Sequence, residues 1–312
     1  MGLFVNKQKT CPICNSPTPR IFPTKIEGMP ICKECDGKID LPDGMANQMS
    51  LESFRQYLDF YDENKALRDI FTETFRMEFG IFKPSIIMDT ANRLFRLKEA
   101  DNSMVMEASA LKSFRILEDN VPLFEGEGDI LRCHVSEAPA LVEKMAPQIA
   151  QFRMQQEMYK QLERMEQELK NREREKNGEE TRTSNYVSNP HFDAPVPFKH
   201  FYVELTLTHP YWSGFRGKLN APGFDRNDPS IDAYLQDYQE KADQLYALAV
   251  NLMQLINPNA QEVRDADNTS AAEQAKSAED IANEIQQYKN LLDLGILTEE
   301  EFTAKKRQLL GI

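Results

Sequence analysis

Residues 11–35 read CPICNSPTPRIFPTKIEGMPICKEC. Cys11, Cys14, Cys32 and Cys35 form a C-x2-C-x17-C-x2-C array that offers two thiolate pairs to one metal ion. Each C-x2-C turn aims two sulfurs at a common centre. The segment between them, with Gly28 flanked by Ile26 and Ile31, is expected to fold as the hairpin that brings the pairs together. Four thiolates satisfy zinc completely and leave no position for water or substrate, so the expected cofactor is a structural zinc. Two disulfides are the alternative; outside the secretory pathway, paired cysteines at this spacing read as a metal site.

Composition bounds what such a module can serve. The 312 residues are 41% hydrophobic and carry a net charge of −13, which opposes broad association with nucleic acid or anionic lipid. Around the cysteines, Lys7, Lys9, Arg20, Lys25, Lys33 and Lys38 are balanced by Glu27, Glu34, Asp36, Asp40 and Asp43, so no basic stripe backs the knuckle. The opening Met1-Gly2-Leu3-Phe4-Val5-Asn6-Lys7 has no apolar run, and nowhere do eighteen apolar residues follow one another. A cytoplasmic chain without a transmembrane segment is expected. Asn6 stands where a myristoylation signal needs a hydroxyl.

Beyond the knuckle (residues 1–45) the chain reads as α+β and multi-domain. Ser50 caps an expected linking helix over 50–80, with Leu51, Phe54, Leu58, Tyr61, Leu67, Phe71 and Phe75 at helical spacing and an end near Gly80. A central domain over 81–256 begins as a small antiparallel meander: Ile86–Met88, Leu94–Leu97, Met104–Met106 and Ser113–Leu117. A loop at Glu125-Gly126-Glu127-Gly128 then leads to a strand at Ile130–Val135. Residues 148–180 read as an inserted, charge-rich helical arm in which Met158, Leu162, Met165 and Leu169 form a seam about two heptads long. Phe201, Val203, Leu205 and Leu207 alternate with polar residues as a strand, and Tyr211, Trp212 and Phe215 anchor the next. Asp228-Pro229 opens a long helix, with proline at its first position, through Ile256. A flexible linker is expected over 257–276 and a helical hairpin over 277–312.

The closing run, from Glu284-Ile285 through Leu291-Leu292-Asp293-Leu294-Gly295-Ile296-Leu297-Thr298-Glu299-Glu300-Glu301-Phe302 to Leu309-Leu310-Gly311, resembles a SHOCT module. That resemblance implies a bacterial or phage protein whose short terminal hairpin mediates oligomerisation or protein contact and holds no catalytic group. Met1-Gly2-Leu3-Phe4 leading into the cysteine pairs resembles a zinc-ribbon-like domain of unknown function, apart from a longer, proline-rich stretch between the pairs. A meander followed by a terminal helix is similar to a PH-like domain, here split by the helical arm.

Enzyme chemistry is not expected. No phosphate-binding glycine loop, H-E-x-x-H, nucleophile elbow or kinase signature occurs. Cys133 and His134, adjacent on a strand, point to opposite faces. His191, His200 and His209 read as turn and surface residues, and Trp212 as a core anchor with its N–H satisfied. The expected function is a non-enzymatic zinc-binding scaffold or adaptor, homo-oligomeric through 277–312. One alternative is a zinc-ribbon regulator touching nucleic acid or the transcription machinery. The other is a membrane-associated stress protein using a PH-like domain.

Overall fold

The computed structural model describes residues 9–80, 84–98, 103–177 and 190–265. The chain divides into two units, Met1–Glu262 and Val263–Ile312. At the N-terminus, β1 (Lys25–Ile26) and β2 (Met29–Pro30) form a hairpin. Glu27 and Gly28 turn it at φ of 49° and 76°, the left-handed pair that such a tight hairpin requires. The short helices α1 (Lys33–Asp36) and α2 (Met45–Gln48) follow. The Ser50 side chain then accepts from Ser53 N–H at 3.1 Å and starts α3 (Leu51–Glu63), which buries Phe54, Tyr57, Leu58 and Tyr61 along one face.

The linking helix is shorter than its apolar period suggests. At Asn64 it gives way to α4 (Lys65–Ile70), and Phe75–Glu78 is a strand, β3. The cause is non-local: the Asn64 side chain accepts from Val105 N–H at 2.9 Å and donates to Val105 O at 2.7 Å, which fixes the helix end against a distant segment. Thr72 N–H then donates to the Asp89 carboxylate at 2.7 Å, drawing the chain into extended pairing where Phe75 faces Met88.

The expected single meander is two antiparallel sheets. One runs β3-β4-β5-β6, with β4 (Ser85–Asp89), β5 (Leu94–Arg96) and β6 (Met106–Glu107). A 3-10 turn at Ala108–Ala110 leads into β7 (Leu111–Glu118) of the second sheet, followed by β8 (Val121–Glu127) and β9 (Ile130–Cys133). Then come α5 (Ala138–Glu143), the arm α6 (Ala146–Asn177), β10 (His200–Leu207), β11 (Gly214–Asn220), α7 (Ile231–Ile256) and β12 (Gln261–Arg264). The second sheet is ordered β11-β10-β7-β8-β9-β12. The alternation read in Phe201–Leu207 holds, since Phe201, Val203, Leu205 and Leu207 are all buried.

Four further expectations give way. The presumed loop at Glu125–Gly128 is strand as far as Glu127, and only Gly128, at φ 62°, turns. Gly126 is there for packing: a Cβ would stand 2.1 Å from the Phe114 ring in the paired strand. Gly126→Ala is therefore expected to cost about 1–3 kcal/mol by overpacking, read as a lowered denaturation midpoint with an unchanged slope. Pro229 lies before the helix, since Ser230 caps α7 by accepting from Ala233 N–H at 3.3 Å. Tyr211 and Trp212 precede β11 and turn toward α3: Tyr57 and Tyr211 meet edge-on at 5.0 Å. The linker expected from 257 begins as structure, with Gln261 N–H donating to Asp129 O at 2.8 Å. Residues 266–276 and the expected hairpin at 277–312 lie outside the described residues.

The main core joins both sheets to α7. Ile86, Met88 and Phe95 from the first sheet, Phe114, Ile116, Phe201 and Val203 from the second, and Leu245, Leu248 and Leu252 from the helix form one buried cluster. Arg93, in the β4–β5 turn, donates to Leu255 O at 2.7 Å and places a cation at the α7 C-terminus.

Candidate metal centre

The N-terminal turns are built to present sulfur. Cys11 N–H donates to Ser16 O at 2.8 Å and Asn15 N–H to Cys11 O at 2.9 Å, closing a tight knuckle with Asn15 at φ 59°. In the second pair Cys32 caps α1: its sulfur accepts from Cys35 N–H at 3.5 Å. The β1–β2 hairpin carries the pairs together. The Sγ–Sγ distances are 3.4 Å for Cys14–Cys32, 3.8 Å for Cys14–Cys35 and 3.9 Å for Cys11–Cys35, and all four sulfurs lie within 4.8 Å of one another. A tetrahedral thiolate centre with metal–sulfur bonds of about 2.3 Å has sulfur–sulfur edges of about 3.8 Å. A disulfide needs about 2.05 Å, and all four cysteines are free. The four cysteines could hold one metal ion, and among the described residues theirs is the group of side chains with that geometry.

The thiols of the cluster differ in how readily they ionise. Hydrogen bonds from Ser16, by side chain and then backbone, lower the Cys14 thiol to about 6, whereas burial pushes Cys32 and Cys35 up. Two thiolates about 4 Å apart repel by roughly 4 kcal/mol at an effective dielectric of 20, so a bound cation is what lets all four ionise together.

This module is fastened to the rest of its unit. Cys11, Cys32 and Cys35 share a buried cluster with Ile26, Ile31, Phe54, Tyr57 and Met104. Glu27, from the hairpin turn, accepts from Leu51 N–H at 3.0 Å; Arg55 donates to Pro12 O at 2.9 Å; Lys38 pairs with Asp62 at 2.6 Å. The Tyr57 hydroxyl donates to Lys38 O and accepts from Asp40 N–H, both at 2.7 Å. Asp40 is the hub. Its carboxylate accepts from Met104 N–H at 2.7 Å and pairs with Lys98 at 2.8 Å, and its carbonyl accepts from Trp212 Nε1–H at 3.2 Å. Sequence reasoning missed Asp40 and Tyr57, counting the first as one surface charge and passing over the second. Tyr57, three residues after Phe54 on the apolar face, carried a readable signal; Asp40 carried none.

The other singled-out residues stay apart from the centre. Cys133 is buried in the main core, and His134, just past β9, sits 3.1 Å from the Glu125 carboxylate. His191 meets Asn227 at 3.0 Å, while His200 opens β10. His209 lies half-buried in the turn after β10: its ring packs edge-on to Phe60 at 5.4 Å, and burial lowers its pKa. Trp212 is buried with its N–H satisfied, as expected of a core anchor.

Comparison with known proteins matches residues 283–310 to the SHOCT family, described as a short C-terminal domain. No curated protein and no solved structure matches the chain. Among the described residues no helix is long and apolar enough to cross a membrane.

Proposed function

We propose that this chain is a non-enzymatic, cytoplasmic scaffold or adaptor. In this reading Cys11, Cys14, Cys32 and Cys35 hold one structural zinc in a zinc-ribbon-like module, and the SHOCT segment self-associates or recruits a protein partner. The observation that carries the reading is the closed donor set: four sulfurs at tetrahedral spacing, three of them buried, leave a zinc ion no position for substrate. A second observation supports a protein-facing role. Ile21 and Phe22, in the stretch between the cysteine pairs, are 75% and 97% exposed, an apolar tip between the exposed Arg20 and Lys25. The central sheets closed by α7 are proposed to be PH-like in architecture.

The chain is expected to be a homo-oligomer in light scattering and to fall to a smaller species when residues 277–312 are deleted, with its zinc retained. A full chain that is monomeric at about 50 μM, where moderate interfaces are populated, would remove self-association from the reading. Tight, salt-sensitive DNA binding lost on deleting residues 1–45 would favour the regulator instead.

A further inference from the structure

The arm α6 is amphipathic the wrong way round for a helix that belongs only to its own chain. Met154, Met158, Leu162, Met165 and Leu169 follow one another at steps of four, four, three and four, and each is between 56% and 64% exposed. On the opposite side of the helix, Gln156, Glu163, Gln167 and Asn171 are only half exposed. The first turns rest on the body by that side, where Ile149 and Phe152 are buried with Phe192, Gln156 donates to Asn227 O at 2.8 Å and Arg153 to Pro229 O at 3.1 Å. The apolar stripe is thus the face turned outward.

We propose that this stripe is an interface with a second copy of the chain, the two α6 arms packing as an antiparallel coiled coil. The charges beside the stripe select the direction. Glu166 and Glu173 flank it on one side, Glu168 and Glu175 on the other. In a parallel, in-register pair Glu168 would face Glu173 of the second copy, a like-charge contact beside a short core. Reversing one helix removes it. Leu162 then packs against Met165 of the other copy and Met158 against Leu169. Glu168 falls beside Gln161, Glu166 beside Tyr159, and Arg172 opposite Gln155. Two such stripes bury on the order of 1,000 Å2, the lower limit for a specific interface, and the contact is self-complementary as a twofold axis requires.

The test uses full-length chains carrying Met158→Cys or Leu169→Cys, incubated singly and mixed in an oxidised-glutathione buffer, with the unsubstituted chain as control. Antiparallel packing puts position 158 against position 169 and separates like positions by eleven residues, about 16 Å along the helix. The expected result is a cross-linked dimer from the mixture and little from either variant alone. The same cross-link should persist after residues 277–312 are deleted, which separates this interface from the one assigned to the terminal hairpin. Cross-linking of each variant with itself would establish the parallel arrangement and overturn the proposal. No cross-link in any combination would overturn the interface itself. Leu162→Glu, on an exposed face, should leave zinc content unchanged and weaken arm-mediated dimerisation by at least tenfold; an unaltered dimer would also overturn the proposal.

Discussion

Cys35→Ser is expected to strip the chain of its metal and to unfold the module around it. Cys35 is 6% exposed, and its sulfur lies within 3.9 Å of those of Cys11 and Cys14. A serine hydroxyl stays protonated and is a hard donor, so it leaves the buried sulfurs of Cys11 and Cys32 and the exposed sulfur of Cys14 around an incomplete site. Structural zinc contributes about 10–16 kcal/mol in small thiolate modules, comparable with the whole stability of a domain at about 5–15 kcal/mol. The variant should therefore lose the knuckle and the face of α3 beneath it, not merely weaken them. Elemental analysis should find one zinc per wild-type chain and none in Cys35→Ser, with a melting temperature lower by more than about 10 °C. Cys133→Ala, buried in the other core, should keep its zinc. A wild-type chain that is folded and metal-free would show that the sulfurs are simply packed thiols.

Asp40→Ala should be damaging for a change at a single polar side chain. Asp40 is 7% exposed, and its carboxylate is the acceptor for Met104 N–H. Without it, that buried donor has no acceptor and Lys98 loses its partner at 2.8 Å. The lost hydrogen bond to a charged group is worth about 1.5–3 kcal/mol, and the pair with half-exposed Lys98 adds at most about 1 kcal/mol. Chemical denaturation should register a loss of about 2–4 kcal/mol from these two contributions. Lys98→Met should cost much less, because it leaves the Met104 bond in place. Zinc release to a competing chelator should quicken in Asp40→Ala, since Asp40 joins the knuckle to Trp212 and Met104. Equal costs for the two variants would mean that the ion pair, not the backbone bond, holds this seam.

Features governed by local chemistry were readable in the residue order. The cysteine spacing, the alternation of Phe201–Leu207 and the Ser50 cap each need only neighbours along the chain to be interpreted. What escaped depends on contacts across the fold. Phe75 fits a helical period and a strand alternation equally well, and the Asn64 bond to Val105 decides between them. Gly126, between two glutamates, looks like a turn until the Phe114 ring is placed over it. Asp40 resembled any surface carboxylate, because its four partners come from residues 57, 98, 104 and 212.

The place of the arm in the chain also governs the order in which the molecule can assemble. β10 lies between β7 and β11, and its register, Phe201 against Glu118, is clamped where Asp119 accepts from His200 N–H at 3.0 Å, 81 residues further on. Until α6 and the stretch after it have been synthesised, β7 has a partner on one side only, in β8, and presents a bare edge that includes Phe114 and Ile116. Closing so long a loop costs only a little more entropy than closing a short one, but it delays the central pairing. On the ribosome, that unfilled slot is the point at which a nascent chain would be captured by a neighbour's strand before its own arrives.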